Sequence, residues 1–212
     1  MQNIKIVETE EIAPKKRAAI IGLAGAGFIG NTALMYIVKA KRFTQVAYLH
    51  GNSLPPLMVL LDGKPTNSFR IYKDPSDELL FIVSEATISG KSAWEVGESI
   101  LSWLNEKGIS EIYTLEGFPY SQQSENLFGF TTGKKNLSRY NVKTINQGAI
   151  TGVNAALLKY VDKDVLWTTL FIPTRVVTGI DYKAVRSLIH VLNGIFDLKV
   201  KTDRLDTMIQ DT

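Results

Sequence analysis

Glu85 and Glu116 each close a short apolar run, Phe81-Ile82-Val83-Ser84 and Tyr113-Thr114-Leu115. If both runs are strands, the two carboxylates stand at neighbouring strand ends, where they can act as acid and base or hold a cation. They are the candidate catalytic residues; the alternative is that each caps backbone N–H groups or pairs with a Lys or Arg. A second signal is a pair of similar turns about 120 residues apart. Gly27-Phe28-Ile29-Gly30 runs into Asn31-Thr32-Ala33-Leu34, and Gly148-Ala149-Ile150-Thr151-Gly152 runs into Val153-Asn154-Ala155-Ala156. Glycine lets backbone approach backbone or a ligand with no Cβ in the way, and an opening helix points unpaired N–H groups at whatever fills the turn. Gly25, Gly27, Gly30, Asn31, Gly148, Gly152 and Asn154 are therefore the candidate ligand-binding residues, set against packing as the plain alternative.

Other chemistries find less support. The 212 residues include no cysteine, so thiolate nucleophiles, disulfides and Cys-based zinc sites are absent, which suits a reducing, cytoplasmic setting. His50 and His190 are the two histidines, without metal-spaced partners, and no metal is expected. Gly25-Ala26-Gly27-Phe28-Ile29-Gly30 fits the dinucleotide fingerprint, but the following strand ends in Leu49-His50-Gly51-Asn52-Ser53, with no acid to hold a ribose. No Lys-Ser or Lys-Thr follows these glycines and no Gly-x-Ser-x-Gly occurs, so no cofactor is expected. A net charge of +3, from 24 basic and 21 acidic residues, is too mild to argue for nucleic acid.

The elements that must position these residues alternate. Residues 18 to 38 carry no charge and are long enough for a bilayer, yet Gly22, Gly25, Gly27 and Gly30 interrupt them. Glu-Thr-Glu-Glu at 8 to 11 is wrong for the basic start of a signal peptide. A buried strand over Ala18 to Leu23, a glycine turn and a helix explain the same residues without a membrane. Val46 to Leu49 reads as a strand. Met58 to Leu61 and Phe69 to Tyr72 flank Asp62-Gly63-Lys64-Pro65 as a hairpin on the sheet edge. Leu79 to Val83 is a buried strand; the helix after it has Ala93, Val96, Gly97, Ile100, Leu101 and Leu104 on one face.

Glu111 to Leu115 is a further strand, and residues 117 to 147 read as irregular, with a short apolar run at Leu127 to Phe130. The second glycine turn leads to a helix with Val153, Ala156, Leu157, Tyr160 and Val161 inward, then a strand from Leu166 to Ile172. Asp181 can cap a helix carrying Val185, Leu188, Ile189, Leu192 and Phe196. The expected fold is a three-layer α/β/α sandwich with a mostly parallel central sheet. Its boundaries are an N-terminal extension or edge strand over 1–15, a single α/β domain over 16–196, and a helical end segment over 197–212. Pro55, Pro56, Leu57, Met58, Phe128, Phe130, Leu205, Met208 and Ile209 are apolar where a lone domain has little use for them, and they are the candidate interface of a homo-oligomer. The rival expectation is that the end segment folds back on its own domain.

In their order and spacing these pieces resemble the proteasome assembly chaperone 2 family. The resemblance rests on Ile20-Ile21-Gly22-Leu23-Ala24-Gly25-Ala26-Gly27-Phe28-Ile29-Gly30, Pro55-Pro56, Asp62-Gly63 followed by Arg70-Ile71-Tyr72, and the Trp94 to Trp103 helix. It continues through Leu115-Glu116-Gly117 and the Gly148 to Leu158 turn, and spans roughly residues 16 to 196. It implies a phosphorylase/hydrolase-like fold in a non-catalytic, protein-binding chaperone of archaeal type, forming homo-oligomers and engaging proteasome core subunits. Members that dock on the proteasome often end in hydrophobic-Tyr-any, whereas this chain ends Ile209-Gln210-Asp211-Thr212. Two other readings stay open: an enzyme acting on a small anionic or nucleoside-like substrate at the sheet rim, and a ligand-binding scaffold or sensor without turnover.

Overall fold

The computed structural model describes residues 4–15, 17–88, 90–120, 126–176 and 178–210. Eleven strands are found there: β1 Ile4–Glu8, β2 Arg17–Leu23, β3 Thr44–Gly51, β4 Met58–Leu61, β5 Lys64–Asn67, β6 Phe69–Lys73, β7 Leu79–Ser84, β8 Ile109–Pro119, β9 Leu127–Thr131, β10 Val142–Thr144 and β11 Leu166–Thr174. The helices are α1 Ile29–Lys41, α2 Gly90–Glu106, α3 Gly152–Tyr160, α4 Tyr182–Phe196 and α5 Asp203–Gln210. Nine strands form one sheet in the order β1-β3-β6-β7-β2-β8-β11-β9-β10.

Burial alternates along the central strands. Ile20, Phe81 and Val83 enter the core beneath α1 and α4; Ala19, Ile21, Leu80 and Ile82 enter the core beneath α2 and α3. A period-2 pattern with both faces apolar is what a strand between two helical layers requires. On α1, Ala33, Leu34, Ile37 and Val38 are buried, and on α2 so are Ala93, Val96, Ile100, Leu101 and Leu104. Asp181 caps α4, accepting a 2.9 Å bond from the Ala184 amide. The uncharged stretch from 18 to 38 is β2, a glycine turn and most of α1. Among the described residues no helix is long and apolar enough to cross a membrane.

Several expectations need correction. The sheet is mixed rather than mostly parallel: β7, β2, β8 and β11 run parallel, whereas β1–β3, β3–β6, β6–β7 and β9–β11 pair antiparallel. The reason lies in the connections. β6 and β7 are joined by a short turn held by Asp74, whose carboxylate accepts from the Ser76, Glu78 and Leu79 amides, and a parallel pair needs a long crossover. The hairpin at Asp62-Gly63 pairs β4 with β5 in a separate two-stranded sheet, and β6 belongs to the main sheet. The supposedly irregular stretch supplies β9 and β10, the far sheet edge; residues 121–125 lie outside the described residues, as do Asp211 and Thr212. On α3, Tyr160 is 57% exposed rather than inward, packed edge-on against Trp94 at 6.0 Å.

Candidate functional site

The parallel registers bring the C-terminal ends of β7, β2, β8 and β11 to one rim, with Leu23 beside Ser84 and Gly22 beside Leu115. The turn after β2 is clamped there by close backbone approach. A Cβ on Gly22 would stand 2.5 Å from the Gly30 carbonyl oxygen, and one on Gly117 2.1 Å from that of Ala26, both below any tolerable contact. Gly30 in turn lies against β8, where an added Cβ would meet the Leu115 carbonyl oxygen at 3.0 Å. Glycines therefore press the start of α1 onto the end of β8.

Between this turn and the start of α3 lies a cavity of about 210 Å³. Gly25, Ala26 and Gly30 line it from one turn; Thr151, Gly152, Val153 and Asn154 from the other; Glu116 and Gly117 from β8; Ala86 and Ile88 from the segment after β7. The two glycine turns thus meet at one place. Neither adjoining helix is capped by a side chain: Thr151 makes no capping bond to α3, nor does Phe28 to α1. The first N–H groups of a helix have no intrahelical partners.

Glu116 is the one ionisable side chain among the described residues lining the cavity. Its Oε1 accepts a 2.9 Å bond from Asn154 Nδ2. Burial pushes its carboxyl above the usual carboxylate range, an effect the Asn154 bond partly offsets. Asn154 is itself buried, and its Oδ1 has no hydrogen-bond partner.

Glu85 does not join Glu116. It pairs with Arg70 of β6, whose guanidinium is fully buried and also donates to the Tyr72 hydroxyl at 2.9 Å and to the Asn67 carbonyl. Glu85 is thus the counter-ion of a buried cation, and its Oε2 is buried without a partner. Gly27 sits behind the turn rather than on the cavity, with φ +66° and its carbonyl bonded to the Asp181 amide. Asn31 is buried with an unpartnered Oδ1 of its own, but it is not among the cavity-lining residues, and Gly148 is exposed and away from it.

The interface candidates scatter. Pro55 is half-buried and Pro56 exposed, leading into a hairpin on which Leu57, Met58 and Leu60 are 40%, 57% and 71% exposed. Phe128 is half-buried in an edge-to-face cluster with Phe118 and Tyr120, and Phe130 packs on the core beneath α2. Leu205 is turned into the chain's own core, so it cannot face a partner: α5 folds back on its domain, with Arg186 bonded to Asp206 at 2.6 Å. Met208 is exposed and Ile209 half-buried.

Sequence reasoning did not single out Ala86, Ile88 or Thr151 as cavity residues, nor Arg70 as the partner of Glu85. Arg70 carried a signal, being a lone cation within the apolar run Phe69 to Tyr72. Ala86 and Ile88 carried none beyond following a strand end.

Comparison with known proteins adds the family. A search of curated proteins returns no match. Among solved structures, the chain superposes on PbaA of Pyrococcus furiosus, described as an archaeal homolog of proteasome-assembly chaperone. The TM-score is 0.86 at 21% identity, covering 99% of this chain and 89% of that one. It superposes on Pyrococcus furiosus PbaB, described as an archaeal proteasome activator, with TM-score 0.81 at 20% identity over 100% and 96%. A protein of unknown function from Thermoplasma acidophilum matches with TM-score 0.80 at 27% identity over 93% and 83%. The family model for PAC2 matches residues 19–212, which takes in both glycine turns, the hairpin and the folded-back end segment, and the chain belongs to the PAC2 family.

Proposed function

We propose that this protein is a non-catalytic, cytoplasmic protein-binding factor of the assembly-chaperone kind, self-associating and acting on proteasome core subunits. Membership of the PAC2 family supports the reading, as do the descriptions of PbaA and PbaB, to which the fold is similar. The observation that carries it is the β4–β5 hairpin, which stands apart from the main sheet and holds Leu57, Met58 and Leu60 toward solvent. Contiguous exposed apolar side chains of this sort mark contact surfaces. The enzyme reading loses its strongest support, because Glu85 is engaged by Arg70 and stands off the cavity that Glu116 lines.

The test is co-expression with the proteasome core subunits of the same organism, followed by size exclusion with light scattering. Co-elution is expected, and the protein alone should run at several times 23.6 kDa. Leu60→Asp combined with Met58→Asp should reduce capture at least about tenfold, equivalent to ~1.4 kcal/mol, while leaving the melting temperature unchanged. A clean monomer that captures no core subunit would overturn the proposal.

A further inference from the structure

The charges of this chain are nearly balanced in number but not in place. Residues 126–161 carry Lys134, Lys135, Arg139, Lys143 and Lys159 and no acidic residue, and α4 carries Lys183, Arg186 and His190 and none either. The fold sets parts of these two stretches side by side. Between α4 and the short 3-10 helix Leu137–Tyr140 lies a groove of about 440 Å³. Lys183, Arg186 and His190 line it from α4 and Arg139 from the opposite side, and no Asp or Glu is among the described residues lining it. Leu127 and Val191, both buried, give it an apolar floor. Clustered like charge of this kind sets up a local field that a net charge of +3 conceals.

Arg186 shows the chemistry that α4 accepts. Its Nη1 donates to Asp206 Oδ1 of α5 at 2.6 Å, and Leu205, beside that aspartate, is buried in the core. On one flank α4 therefore already seats an acidic, amphipathic segment of its own chain. A guanidinium offers five N–H donors in a rigid fork. The bond to Asp206 holds that fork in place and leaves donors for a second carboxylate where Arg186 lines the groove. Across the groove, the exposed Arg139 side chain makes no hydrogen bond or ion pair among the described residues.

The cations are strung out rather than convergent. Lys183, Arg186 and His190 recur at about one helical turn, ~5 Å apart. One small anion cannot span them, and a nucleic acid needs a longer track of phosphate contacts. Gly194 marks one end, where a Cβ would stand 3.0 Å from Tyr140 Cδ1. From Lys183 to Gly194 the helix covers about 16 Å, the length of about five extended residues. We propose that the groove binds an acidic segment of a protein partner, its carboxylates on Arg186 and Arg139 and an aliphatic side chain over Leu127 and Val191. The inference rests on the protein-binding reading but shares no residue with the β4–β5 hairpin, so each can fail alone.

Fluorescence anisotropy of the full chain with the labelled peptide Glu-Asp-Leu-Glu-Leu-Asp tests this, beside its amide counterpart Gln-Asn-Leu-Gln-Leu-Asn. The acidic peptide should bind with a dissociation constant of about 100 µM or tighter at ~50 mM salt, and more weakly as salt is raised. The amide peptide should bind at least about tenfold more weakly. A labelled single-stranded oligothymidine of equal charge should also bind more weakly, and inorganic pyrophosphate should displace the peptide no better than sodium chloride of the same ionic strength.

Arg139→Glu reverses an exposed charge, and Ser187→Tyr fills the groove without changing its charge. Each should weaken the acidic peptide at least about tenfold while melting cooperatively. Leu60→Asp combined with Met58→Asp should bind the peptide as the parent does, which tells a failure of the groove from a failure of the hairpin. No binding by the parent, equal binding of the amide peptide, or tighter binding of the oligonucleotide would overturn the proposal. So would specific displacement by pyrophosphate, undiminished binding in either groove variant that folds, or loss of binding in the hairpin variant.

Discussion

At the first turn, a Cβ on Gly22 or Gly117 would fall 2.5 Å and 2.1 Å from a backbone carbonyl oxygen, whereas at the second the nearest atom to a Cβ on Gly152 is the Ile88 carbonyl oxygen at 4.0 Å. Gly148, which opens the second turn, would place a Cβ 3.6 Å from the Ile145 side chain, an ordinary contact. What constrains Gly152 is its own backbone, at φ +61°. The first turn is held by steric contact between backbones, the second by conformation alone. That difference explains the cavity: the first turn is drawn down onto β8, while the second begins its helix without closing on anything. Two stretches that resemble each other in sequence therefore divide the work of closing one end of the rim and leaving the other open.

Gly117→Ala gives the largest expected effect that can break this contrast. A methyl group 2.1 Å from a carbonyl oxygen cannot be accommodated by rotating a side chain, so the turn or the strand must move. We expect a loss of about 3 kcal/mol or more, or failure to fold, with Gly22→Ala close behind. Gly27→Val should cost at least ~1 kcal/mol, since φ +66° is compounded by Thr174 Oγ1 at 3.1 Å. Urea unfolding of each variant measures this. Near-native stability of Gly117→Ala would mean that the first turn is not sterically clamped.

Gly152→Ala should be milder. The added methyl has room, and the cost is the left-handed conformation, about 1 kcal/mol. Gly152→Asn should recover part of that loss, because Asn tolerates the left-handed region better than Ala. If Gly152→Ala instead matched Gly117→Ala, the two turns would be constrained alike. An Asn variant no better than Ala would point away from backbone conformation.

The layers of the fold were legible because their signals are local. Apolar positions on α1 and α2 recur at the spacing that places them on one buried face, and Asp181 sits where a cap must be. β9 and β10 were not legible, since Gly129 lies mid-strand and each is short; Gly129 is there because a Cβ would strike Leu137 Cδ1 at 2.6 Å. Tyr160 differs for a tertiary reason: α3 packs on α2 through Ala156 against Gly97, leaving Tyr160 edge-on against Trp94 at the surface. In the site, both turns and Glu116 could be read as strand-end features. That Arg70 takes Glu85 could not, because it depends on β6 running antiparallel beside β7 with Phe69 opposite Ser84. Spacing along the chain carries no record of that register.

Glu116→Gln has the smallest expected effect on the fold and sharpens the contrast at the point where the two turns face each other. Gly117 closes the first turn on Ala26, while its neighbour Glu116 is left in the gap before the second, with no Lys, Arg or His among the described residues lining the cavity. Burial raises the carboxyl of Glu116 in the folded chain above its ordinary value of 4.5. The folded state then binds that proton more tightly than the unfolded chain, so this group lowers stability at neutral pH. The penalty fades as pH falls through the folded value and is gone below the unfolded one. Glutamine keeps the shape and an acceptor for Asn154 but has no charge to desolvate. The variant should therefore melt higher than the parent near pH 7, and the gap should close on acidification toward pH ~4. Melting both proteins across this range gives the answer. A gap that widened on acidification would mean that the carboxylate is stabilised where it lies, and that the open side of the rim already supplies the positive partner Glu116 otherwise lacks.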